Sequence, residues 1–117
     1  MPYFEELEVW KRSCRLAVAL YRVLEQCKDR GLKDQMTRAA VSIPSNIAEG
    51  SERRTVKEYV SFLSISKGSA AELRTQIYIA SKIGIISSAE CKTFSAELKQ
   101  ISSMLQSMIS KLSRKPD

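Results

Sequence analysis

From Cys91 to Leu112 an apolar residue returns at alternating spacings of three and four: Cys91, Phe94, Leu98, Ile101, Leu105, Met108 and Leu112. That is an unbroken heptad seam. It commits this stretch to a helix packed nearly parallel or antiparallel to its neighbours. Ser87, with Glu90 three residues on, forms a capping box in front of the seam, so a helix is predicted over 88–113.

The same period recurs upstream. Tyr59, Leu63, Ser66, Ala70, Leu73, Ile77 and Ala80 form one stripe behind a second capping box, Thr55 and Glu58. Gly84 then supplies a left-handed residue, with Ile85 placed to fold back, which predicts a third helix over 56–83. Gly68 falls mid-helix, where Gly costs about 1 kcal/mol relative to Ala, so close approach of another backbone is expected there. A first helix over 5–28 carries Trp10, Ala17, Leu20, Leu24 and Cys27, with Gly31 as its terminator. Lys28 and Arg30 would suit its C-terminus, where cations are favoured.

The second helix, over 32–49, is marked by Leu32, Met36, Ala40, Ile43 and Ile47, yet Pro44 sits inside it. Proline removes a backbone donor and collides with the carbonyl four residues back, here Ala40. Because the apolar period keeps its phase across Pro44, a kinked helix is expected rather than two pieces. Short links between four helices give an all-α, antiparallel up-down-up-down four-helix bundle, a single domain over residues 1–117.

The first helix repeats Val9, Leu16 and Val23 every seven residues beside its inner stripe. The third adds Phe62, Ile65, Ile79 and Ile83, and the fourth adds Met104 and Ile109. A lone bundle needs an apolar face of roughly 100° per helix, and these faces are wider. The surplus points to a homo-oligomer, most simply a closed ring or dimer.

Several chemistries are excluded. The chain has no histidine, which removes the commonest general base and metal ligand and every Ser-His or Cys-His nucleophile. It has no Cys-x-x-Cys pair and no glycine-rich phosphate loop, so neither metal nor cofactor is expected, and no enzyme. Glu49 and Glu72 could in principle form a carboxylate pair, but structural pairing with arginine is the commoner use. Cys14, Cys27 and Cys91 lie on or beside apolar stripes and are expected to be buried, reduced thiols. No apolar run approaches the roughly 20 residues of a membrane span, and the N-terminus lacks a secretory pattern, so a cytoplasmic location is expected.

Arg38, Ser42, Asn46 and Glu49 share one side of the second helix, and Ser69, Glu72 and Gln76 one side of the third. Facing stripes of this kind predict a buried hydrogen-bonded network that fixes register. The run from Arg38 to Gly50 (RAAVSIPSNIAEG), then Arg53-Arg54, Glu58-Tyr59 and Gly68-Ser-Ala-Ala-Glu-Leu73, resembles the bacterial four helix bundle protein family. That family was first noted as reading frames inside intervening sequences of large-subunit ribosomal RNA genes. The resemblance spans about residues 5–112. It implies a bundle that assembles into a homopentamer with a central channel. A distant branch with the same bundle and ring is the accessory protein of diversity-generating retroelements, which binds nucleic acid and a reverse transcriptase.

With 19 Lys and Arg against 13 Asp and Glu, the formal charge is +6. Five such copies would carry about +30, a strong field at low salt. Candidate phosphate contacts for RNA or DNA are Lys11, Arg12, Arg15 and Arg22 on the first helix, Arg53, Arg54 and Lys57 around the second loop, and Lys111, Arg114 and Lys115 at the tail. No aromatic residue interleaves with these groups to stack a base. The alternative is a scaffold whose repeated surface engages a protein partner and no nucleic acid.

Overall fold

The computed structural model describes residues 3–114. A single 3-10 turn, Phe4–Glu6, precedes four helices: α1, Glu8–Val23; α2, Arg30–Ser51; α3, Val56–Lys82; and α4, Ser88–Ser113. They form an antiparallel four-helix bundle, and the described residues contain no strand. Its longest dimension is 48 Å against 21 and 19 Å across, consistent with α3, whose 27 residues span about 40 Å.

Helix ends are set by local chemistry. At α4 the capping box is complete: Glu90 N donates to Ser87 Oγ at 3.0 Å, and Ser87 N donates to Glu90 Oε1 at 2.9 Å. At α3 only half of the expected box forms, Glu58 N to Thr55 Oγ1 at 3.1 Å. The C-terminus of α3 is a full Schellman motif, with Ile85 N on Ala80 O at 2.8 Å and Gly84 N on Ser81 O at 3.2 Å. Gly84 has φ of 82°, which a side chain would strain, and Ile85 tucks against the core.

The link between α1 and α2 departs from expectation. Helix α1 begins only after an extended Leu7, and the preceding turn is held by Phe4 packed edge-on against Trp10 at 5.4 Å. It ends at Val23, well before Lys28, so neither Lys28 nor Arg30 caps its C-terminus. Asp29 explains the difference: its Oδ1 accepts from Leu32 N at 3.0 Å and starts α2 at Arg30. Gly31 therefore lies in the first turn of α2 rather than ending α1.

Helix α2 runs unbroken through buried Pro44. Two carbonyls just before the proline gain side-chain donors. Asn46 Nδ2 reaches Ser42 O at 2.8 Å, and Ser66 Oγ of α3 reaches Ile43 O at 2.9 Å. Neither is the carbonyl that loses its helical donor to the proline, which is Ala40 O; the second bond ties α3 to the α2 backbone beside Pro44.

All four helices contribute fully buried side chains, among them Leu20, Ile43, Leu73 and Ile101, with Ile86 sealing the link between α3 and α4. Each is worth roughly 1.5–3 kcal/mol of burial. Part of the supposed apolar surplus belongs to this core. Val9 and Leu16 are buried and Val23 half-buried, because α1 lies in the corner between α2 and α4 and needs a wide apolar arc. Phe62, Met104 and Ile109 are half-buried at the seams. The true surplus lies on α3, where Ile65, Ile79 and Ile83 are 52%, 46% and 59% exposed, joined by Val18 and Tyr21 on α1 and Val41 on α2.

The close backbone approach expected at Gly68 occurs elsewhere. Gly68 is exposed, and an added Cβ would meet nothing within 4 Å. At buried Gly50 a Cβ would lie 2.6 Å from Phe62 Cβ, so α2 and α3 are in close contact here. The three cysteines are free but half-buried rather than buried, since each sits at the rim of its stripe. Desolvation pushes the Cys14 thiol pKa upward.

Candidate nucleic-acid interface

The antiparallel order brings the start of α1, the end of α2, the start of α3 and the end of α4 to one end of the bundle. Lys11, Arg53, Arg54, Lys57, Lys111 and Arg114 therefore gather there. Arg22 sits near the opposite end, and Lys115 lies outside the described residues. The same end also holds Glu5, Glu6, Glu8, Glu49, Glu52 and Glu58, so the local field is mixed rather than basic.

Three candidates are neutralised within the fold. Arg12 forms a two-pronged pair with Glu97 of α4, with Nε to Oε2 at 2.9 Å, and its Nη1 also meets Met104 Sδ at 3.7 Å. The Arg12 hydrogen bond holds the Glu97 carboxyl below its usual pKa, and the same bond raises Arg12. The pair clasps α1 to α4 beside a shallow cleft of about 440 Å³ lined by Leu16, Ala19 and Phe94. Arg15 pairs with Glu8 at 3.0 Å. Arg53 pairs with Glu49 at 3.1 Å, and its guanidinium lies 4.8 Å from the centre of the Phe62 ring. Such groups are less free to meet phosphate than Lys11, Arg22, Arg54, Lys57, Lys111 or Arg114, which are in no ion pair among the described residues.

The polar network forms only at its centre. Ser42 Oγ and Ser69 Oγ are 2.9 Å apart, and Asn46 Nδ2 donates to the same Ser42 Oγ at 2.9 Å. Ser66, outside the predicted set, extends it to the α2 backbone. Arg38, Glu49 and Glu72 are exposed at the rim, where charge keeps its hydration. Glu49 turns to Arg53, not to Glu72, so there is no carboxylate pair. Arg38 and Glu72 line a shallow cleft with Gln35 and Ser42 but form no ion pair among the described residues. Gln76 is buried, with Oε1 lacking any partner.

Five further cations, Lys67, Arg74, Lys82, Lys92 and Lys99, were outside the candidate set. The signal that finds four of them is heptad spacing, 67 to 74 and 92 to 99, and Lys82 continues the α3 row eight residues after Arg74, on the sides of α3 and α4 away from the apolar stripes. Among the described residues no group of His, Cys, Asp or Glu could hold a metal, and no helix is long and apolar enough to cross a membrane.

The sequence profile of the 23S rRNA-intervening sequence proteins matches residues 5–107. A protein with unknown function from the S23 ribosomal protein family of Bacteroides thetaiotaomicron VPI-5482 has a similar fold, with a TM-score of 0.81. It is 22% identical, over 86% of this chain and 97% of that one. No curated protein matches the chain.

Proposed function

Because the chain belongs to the 23S rRNA-intervening sequence protein family, we propose that it is a non-enzymatic, ring-forming, cytoplasmic protein that binds nucleic acid, RNA first, through phosphates. The observation that carries this reading is electrostatic. The formal charge is +6, and among the described residues only Arg12, Arg15 and Arg53 have ion-pair partners. Most cations are therefore available to a polyanion.

Assembly is supported by the exposed Ile65, Ile79 and Ile83 on α3 and by Val18, Tyr21 and Val41 across α1 and α2. Joining the α3 patch to the α1–α2 patch on a neighbouring copy is a head-to-tail contact, which forms a ring when the rotation from copy to copy closes. Five copies is the number implied by the family resemblance.

Sedimentation velocity at micromolar concentration tests the assembly, and a monomer there sinks it. Purification at low salt tests the ligand: nucleic acid should copurify and be released as salt rises. The scaffold reading is favoured instead if a protein partner, rather than RNA, is retained after nuclease treatment.

A further inference from the structure

We propose that the outer face formed by α3 and α4 is a track for single-stranded nucleic acid, with Lys67, Arg74, Lys82, Lys92 and Lys99 on phosphates and Tyr78 stacking a base. It rests on the nucleic-acid reading and locates it away from the mixed end of the bundle.

The register is set by one contact. Lys67, Arg74, Tyr78 and Lys82 follow one another on α3 at spacings of seven, four and four, so they share a stripe. On α4, Lys92, Lys99 and Gln106 recur every seven residues. Lys67 Nζ donates to Gln106 Oε1 at 2.7 Å, which joins the two stripes at one end. The helices are antiparallel, so each heptad up α3 runs back a heptad along α4. Arg74 then comes level with Lys99, and Lys82 with Lys92. From Lys67 to Lys82 the track is about 22 Å long at 1.5 Å per residue.

No carboxylate competes on this face. Between Tyr59 and Arg114 the only acids are Glu72, Glu90 and Glu97. Glu72 lines the cleft with Arg38 and Ser42 of α2, Glu90 is held in the α4 cap by Ser87 N, and Glu97 is clasped by Arg12 of α1. None of the five cations is in an ion pair among the described residues. An unopposed row of cations is what phosphates select, and it contrasts with the six glutamates at the candidate end.

Tyr78 decides between ligands. It is 58% exposed in the middle of the row, with Lys82 Nζ 5.3 Å from its ring centre. A base stacked on that ring would bring its phosphate within reach of the same ammonium. Stacking needs an unpaired base, which favours a single strand over a duplex. The exposed isoleucines of α3 lie on its other flank, beside α2, so this face lacks the apolar cluster that anchors a protein interface.

The test is fluorescence anisotropy of labelled oligouridylate, oligothymidylate and a mixed-sequence duplex, across salt, with heparin as a base-free polyanion. Five phosphate contacts on a single strand predict a slope of log K against log salt of about −3.5. Lys92→Gln/Lys99→Gln should reduce that slope by about 1.4. Tyr78→Ala should weaken single-strand binding about fivefold or more while leaving heparin unaffected, and Tyr78→Phe should restore it. Arg54→Gln/Lys111→Gln removes the same charge from the bundle end and should have the smaller effect. Circular dichroism checks that each variant keeps its helices. Equal losses from the two double variants, or no effect of Tyr78→Ala, overturn the track while leaving the nucleic-acid reading intact. Failure of the wild-type chain to bind any nucleic acid at low salt defeats both.

Discussion

Two identical substitutions, Gly50→Ala and Gly68→Ala, should change stability in opposite directions. Both glycines are helical, Gly50 near the end of α2 and Gly68 in the middle of α3. Propensity alone favours Ala at either by about 0.5–1 kcal/mol. At Gly68 nothing lies within 4 Å of the new carbon, so that gain should appear in full.

At Gly50 the new carbon would lie 2.6 Å from Phe62 Cβ, 3.0 Å from Tyr59 Cδ1 and 3.3 Å from Tyr59 O. Carbon atoms rest at about 3.5–4.0 Å, so the first contact is short by about 1 Å. The Tyr59 ring can turn aside. Phe62 Cβ cannot, because rotamer changes leave Cβ in place, and Tyr59 O is backbone. Relief therefore requires α2 and α3 to separate, towards the upper part of the overpacking range at about 2–3 kcal/mol. The net prediction is a loss of about 1–2 kcal/mol after the propensity gain. Urea denaturation followed by helical circular dichroism, at matched chain concentration, reads both variants. Their midpoints should move apart, with the slope unchanged. If Gly50→Ala is as stable as wild type or more so, the claim that α2 and α3 touch through Gly50 is wrong.

Other perturbations test separate parts of the fold. Gln76→Leu removes a buried amide whose Oε1 has no partner and should stabilise the chain by about 1 kcal/mol in the same assay; a loss would mean that Gln76 is satisfied in solution. Glu97→Gln should cost less than about 1 kcal/mol at neutral pH, because both members of the pair are about a third exposed to screening water. The Glu97 pKa is lowered by folding, so its contribution is complete above the unfolded carboxyl value and fades as pH falls through the folded one. The gap between wild type and Glu97→Gln should therefore close on acidification, and a gap that widens would contradict the clasp. Ser87→Ala breaks the α4 capping box and should cost about 1 kcal/mol in urea denaturation, whereas Thr55→Ala, whose box is half-formed, should cost no more than that.

What could be read from residues alone was whatever depends on neighbours along the chain. The heptad seam of α4, its Ser87–Glu90 cap and the left-handed Gly84 after α3 each rest on a few adjacent residues whose geometry is covalently fixed. Where two local signals compete, the stronger prevails: Gly31 suits a helix stop, yet Asp29 caps the next helix two residues earlier. The bundle, its antiparallel order and the Ser42–Ser69 contact followed from period and short links, as did family membership from the Arg38–Gly50 run.

Tertiary structure decided everything that depends on which faces meet. Val9 and Leu16 carry the same apolar signal as Ile65 and Ile79, yet the corner position of α1 buries the first two and leaves the others in water. Gly50 and Gly68 are equivalent on paper, and only the line along which α2 and α3 cross separates contact from open space. Arg12 and Lys99 are both helical cations, but the packing of α1 on α4 sets Glu97 against Arg12, while Lys99 is in no ion pair among the described residues. A residue type states what a side chain can do. Whether it is free to do it depends on the angle and register of helix packing, which arise from the summed contacts of the whole core rather than from any one stretch of sequence.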